Sequence, residues 1–94
     1  MKKWNLIGRQ VGQLRYQRGW TQDTLAAKLQ IAGWMISRSS ISRIESGFAR
    51  VPDFRLYYFA YVFDIDVITL FPTIDTRSDF QKVLLPFIQI EQPA

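Results

Sequence analysis

An all-α fold, about five helices around one core, is what this sequence predicts, and three observations carry that reading. Apolar residues recur at helical spacing, as at Ile7, Val11 and Leu14. Polar capping residues stand where helices would begin, and Gly19, Gly33 and Gly47 stand where they would end. The stretch Ile36 to Gly47 combines both signals in one short segment. Ninety-four residues suffice for one domain with a single modest core.

The first helix is expected over about Leu6 to Arg18, with Asn5 as a candidate cap and Gly19 as its stop. Gly8 and Gly12 are poor helix residues and weaken that expectation slightly. Trp20 reads as a core residue leading to Thr21, the cap of a second helix. Leu25 and Leu29 face inward there, and Asp23 in the first turn suits the helix dipole. This helix is expected to run to about Ala32, stop at Gly33, and let Trp34 fold back on the core. The connector before the third helix, Gln30 to Met35, is long and mostly apolar.

Ser37 then caps the third helix, 37–46, while Ile36 and Ile41 have the spacing of a hydrophobic staple. Ile41 and Ile44 face the core. Arg38, Ser39, Ser42 and Arg43 remain on the other side, with no acid among them. A capped helix with a basic, hydroxyl-bearing face has the surface needed to lie in a DNA groove. The fourth helix starts either with Pro52 in its first turn or with Asp53 as its cap. Leu56, Phe59, Ala60 and Phe63 form its inner face. Tyr58, Tyr61 and Val62 are left without an obvious partner, which suggests cover by another chain. Asp66 is read as the cap of a fifth helix, Val67 to Phe71, ended by Pro72. Beyond it, Ser78 is read as capping a helix through about Leu85 that Pro86 stops, and Phe87 to Ile90 as either an extended strand or an arm that docks on a partner.

Charge is divided along the chain. Residues 1–55 carry ten Lys or Arg against three acids, whereas residues 56–94 carry two against five. One half is therefore suited to a polyanion and the other to a different role, unless the basic half is simply a solvated surface. Cysteine and histidine are absent, so neither disulfides nor the common metal sites are expected, and no cofactor is implied. No apolar run approaches the roughly 18 residues of a membrane span, and a cytoplasmic location is expected. Catalysis lacks its parts. A serine nucleophile would have no histidine, no Ser-x-x-Lys pattern includes Lys28 or Lys82, and no glycine-rich phosphate loop occurs.

Three segments together resemble the lambda-repressor and Cro-like (Xre-type) helix-turn-helix family. They are Trp20-Thr21-Gln22-x-x-Leu25-Ala26-x-x-Leu29, then Ile36 to Gly47, then Ala60-x-x-Phe63-x-Ile65-x-Val67-x-x-Leu70-Phe71. The resemblance covers residues 7 to 71. The connector is longer than the family's usual turn, as in one subgroup, and Asp64 replaces the glycine usual at the end of the fourth helix.

The resemblance implies a DNA-binding domain at 1–72 with an extension at 73–94, and a transcriptional regulator, most simply a repressor, acting as a homodimer on duplex DNA. Arg38, Ser39, Ser42 and Arg43 match its base-reading positions, where Arg can engage guanine O6 and N7. Thr21, Gln22, Ser37 and Arg50 match phosphate-contacting positions, with Lys28 and Arg9 as weaker candidates. Gln22 is also expected to brace the recognition helix, and Glu45 to pair with Arg15 or Arg18 or to bond loop amides. Tyr58, Tyr61, Val62, Phe87 and Ile88 form the expected dimer or partner surface. The alternative is a protein-interaction module, such as an antitoxin or accessory subunit, that holds a partner through the fourth helix and the extension.

Overall fold

The computed structural model describes residues 3–87. Five α-helices occur among them: α1 Gly8–Gln17, α2 Gln22–Ile31, α3 Arg38–Glu45, α4 Asp53–Phe63 and α5 Arg77–Leu84. Short 3-10 turns lie at Val67–Leu70 and Leu85–Phe87, and no strand appears among the described residues. The all-α expectation holds. No helix among these residues is long and apolar enough to cross a membrane.

The core is built from residues that recur on single helix faces. Ile7 and Val11, Leu25 and Leu29, Ile41 and Ile44, and Phe59 and Phe63 meet in one cluster with Ile36 and Leu70. Aromatic rings run through it as a chain. Trp20 stacks on Phe63 at 5.6 Å, Phe63 on Phe59 at 6.3 Å, and Trp34 meets Phe59 edge-on at 5.2 Å. The two tryptophans that flank α2 therefore grip α4 from both ends, at separations typical of favourable ring pairs.

α1 crosses α3 at very close range, and Gly8 and Gly12 are the reason. A Cβ at residue 8 would strike the Ile44 carbonyl, and one at residue 12 would press on the Glu45 carboxylate at 3.3 Å. Their helix-propensity cost is offset by this approach.

The first four helices end in the same motif. The amides of Trp20, Trp34 and Phe48 bond back to the carbonyls of Arg15, Leu29 and Arg43, and those of Gly19, Gly33 and Gly47 to Tyr16, Gln30 and Ile44. Ile65 and Asp64 repeat the pattern with Ala60 and Tyr61. This is the Schellman arrangement, which needs a left-handed residue just past the helix. Asp64, at φ 55°, supplies it where the other three helices use glycine.

Several expected boundaries are corrected. Neither proposed start of α4 is right: Pro52 is the cap residue, with no side-chain cap bond, and Asp53 is the first helical residue. The expected fifth helix is a 3-10 turn of four residues. Asp66 makes no side-chain cap bond there, and Phe71 and Pro72 leave no room to lengthen it. The fifth α-helix comes instead from the C-terminal extension. Thr76, not Ser78, caps it, with its hydroxyl accepting from the Asp79 amide at 3.0 Å. Pro86 lies within the second 3-10 turn rather than after a helix stop, as does Phe87; the rest of the expected arm lies outside the described residues.

Candidate nucleic-acid interface

α3 is fixed from both ends and from behind. At its start the Ser37 hydroxyl accepts from the Ser40 amide at 3.2 Å and lies 3.1 Å from the Ser39 and Ser40 hydroxyls. Ile36, Ile41 and Ile44 are buried, so the rotation of the helix about its axis is set by the core. Arg38, Ser39 and Arg43 are consequently exposed together, and Ser42 is half-buried beside them. The Arg43 guanidinium has no ion pair, hydrogen bond or ring contact among the described residues.

Behind the helix lies a charged lock. Glu45 accepts from Arg15 Nε at 2.8 Å and Arg15 Nη2 at 3.0 Å, and from Gln22 Nε2 at 3.2 Å. Arg15 also donates to the Trp20 carbonyl at 2.8 Å. α1, α2 and α3 are thus joined through the Glu45 carboxylate, and Arg15 adds the α1–α2 turn, at side-chain exposures of only 18% and 11% for Arg15 and Glu45. The hydrogen bond that Arg15 donates to Glu45 pushes the Arg15 pKa above its ordinary value, against the opposing effect of burial. Of the three expected roles for Glu45, the pairing with Arg15 is the one found. Arg18 turns away, donating to the Phe63 carbonyl at 2.6 Å and lying over the Phe63 ring. Gln22 makes the expected bracing contact.

The other phosphate candidates have distinct settings. Thr21 is exposed and caps α2, with its hydroxyl accepting from the Thr24 amide at 3.0 Å. Arg50 is exposed beyond α3 and rests over the Trp4 ring at 4.4 Å. Lys28 is half-buried with its ammonium over Trp20 at 4.6 Å, and it lines a groove beside α4 with Tyr57 and Asp64. That position ties it to the α4 side of the molecule. Arg9 is exposed on α1.

Two features escaped the sequence reading. The segment before α1 clamps the end of α3: Lys3 Nζ donates to the Ser46 carbonyl at 2.6 Å, and the Trp4 amide donates to the Gly47 carbonyl at 2.8 Å. Ile7, not Asn5, is the cap residue of α1, but the Asn5 side chain still accepts from the Gly8 amide, and its amide group donates to the carbonyls of Ile44 and Ala49. The second feature is an acid on the basic face. Asp23, from α2, comes to 3.8 Å from Arg38 Nε. The absence of acids within α3 gave no sign of it.

The residues of the expected partner surface have different settings. Tyr58 is half-buried and has a partner in its own chain, the Trp34 ring at 5.8 Å. Val62 packs against the core. Tyr61 is exposed at 76%, and its neighbours in exposure are Tyr57 on α4 and Ile31, 88% exposed, at the end of α2. Phe87 is half-buried and borders a cleft between the C-terminal segment and residues 3–10, whereas Ile88 lies outside the described residues.

Comparison with known proteins gives two matches. Residues 6–58 match a family described as a helix-turn-helix domain, spanning α1 through the first half of α4. Among solved structures, the restriction-modification controller protein C.AhdI from Aeromonas hydrophila superposes with a TM-score of 0.60 at 28% sequence identity. The match covers 69% of this chain and 87% of that one. No curated protein matches significantly.

Proposed function

Because the chain belongs to the helix-turn-helix family, as an Xre-type domain, we propose that it is a sequence-specific transcriptional regulator that sets α3 in the major groove of duplex DNA. The observation that carries the proposal is the state of Arg43: exposed, unpaired among the described residues, and projecting from a helix locked by Ile41, Ile44 and Glu45. A cation without an internal partner gives up no such contact when it meets a base edge, and Arg can donate two hydrogen bonds to guanine. Arg38, Ser39 and Ser42 share its face. Thr21, Gln22, Ser37 and Arg50 flank it as phosphate contacts, supported by the amides at the starts of α2 and α3. Repression follows if the bound site overlaps a promoter, and the likeness to a controller protein supports a regulator rather than an enzyme.

Selection of duplexes from a random pool, followed by titration at two salt concentrations, tests the proposal. Arg43→Ala should weaken the selected site by about 1–3 kcal/mol and relax preference at one base position. Arg50→Ala should weaken all sequences alike and reduce the salt slope by about 1. Equal losses on selected and random DNA for both variants would remove α3 from the groove.

A second reading, as a protein-interaction module, is favoured by the exposed Ile31, Tyr57 and Tyr61 on the side of α4. In a homodimer the same surface joins two copies on half-sites about one helical turn apart. Co-purification of a stoichiometric second protein that is lost with Tyr61→Arg supports the module, whereas a self-associating chain supports the dimer.

A further inference from the structure

Asp23 stands on the candidate DNA-binding face, where an acid opposes phosphate. Its carboxylate is 79% exposed and Arg38 is 58% exposed, so no burial forces the two together. An exposed pair at 3.8 Å contributes little to stability. Helix-dipole stabilisation accounts for an acid in the first turn of α2, but not for its approach to the basic face of another helix. The approach is made through Arg38 Nε. The terminal nitrogens of an arginine guanidinium are the donors that meet guanine O6 and N7 end-on, and an acid beside Nε need not occupy them.

We propose that Asp23 is a specificity-determining residue that acts through Arg38. It steadies the guanidinium for base reading, and it withholds that charge from indiscriminate contact with phosphate. An untethered arginine at this position would add a counterion-releasing contact to any duplex. With Asp23 beside it, the net charge offered to the backbone is close to zero, so affinity is gained only where a base edge accepts the terminal nitrogens. The inference rests on the proposed groove binding by α3.

The test uses the full chain on a duplex it has itself selected and on a random duplex, over a range of salt. Asp23→Asn should tighten random binding by about 3–10-fold and steepen its salt slope by about 1. Affinity for the selected duplex should change little or fall, so that the specificity ratio narrows by roughly tenfold, equivalent to about 1.4 kcal/mol. In an Arg38→Gln background the same change should leave the ratio unaltered, because the partner through which Asp23 acts is gone. An unchanged ratio in the first background overturns the proposal. So does an equal narrowing in both, since that assigns Asp23 only a general field. A wild-type chain with no salt-dependent duplex binding would instead overturn the groove reading on which the inference stands.

Discussion

Glu45 decides where α3 points, because side chains from α1 and α2 converge on its carboxylate. Its oxygens take three hydrogen bonds, from Arg15 and Gln22, in a nearly buried setting. Removing the charge leaves the Arg15 guanidinium desolvated and short of an acceptor, which is more costly than losing a surface pair. Glu45→Gln should therefore lower stability by about 2–3 kcal/mol, measured by urea unfolding. Specific DNA affinity should fall further than stability alone accounts for, as the helix angle relaxes. A variant that unfolds like the wild type would show that the lock is dispensable. Since the Arg15 pKa is raised in the fold, its contribution is fully present at neutral pH and is lost only on passing to strongly alkaline solution. The partners of Glu45 were partly legible in the sequence, which offered Arg15 and Arg18. The choice between them was not legible, since it depends on Arg18 being drawn to the Phe63 carbonyl and ring by the packing of α4.

At the scale of elements, local chemistry announced most of the helix ends. Thr21 and Ser37 were readable as caps because a short hydroxyl side chain meets the amide three residues on. Gly19, Gly33 and Gly47 were readable as stops because the left-handed residue of the motif favours glycine. Errors came where two residues could do one job, as with Thr76 and Ser78, or where a segment was too short to distinguish α from 3-10 geometry, as at Val67–Leu70. The expectation that α4 left Tyr58 unpartnered failed for a different reason: the path of the connector, which brings Trp34 to it, is set by long-range packing. Asp64 was visible as a departure from glycine, and its cost now follows from its φ of 55°. It is exposed, and its side chain makes no hydrogen bond or ion pair among the described residues. Asp64→Gly should raise stability by up to about 1 kcal/mol, seen as a higher midpoint in thermal melting with the DNA-binding properties unchanged.

For the molecule as a whole, burial stops before α5. Each of the first four helices and the turn at Val67–Leu70 contributes fully buried residues to the core, whereas α5 contributes none. α5 is joined to the rest by the Lys3 amide on the Pro86 carbonyl at 3.0 Å and by the cleft its residues share with the N-terminal segment. That cleft is lined on its other side by Ser46 and Gly47, just past the end of α3. A chain ending at Pro72 should therefore keep a cooperative melt, within about 1–2 kcal/mol of the full chain, because only peripheral contacts are lost. It should also retain its preference for the selected duplex over random DNA. If its transition broadens or disappears, α5 is part of the core unit. If the fold survives but affinity falls in a concentration-dependent way, the extension contributes to assembly on DNA, where two copies must be held at a fixed spacing.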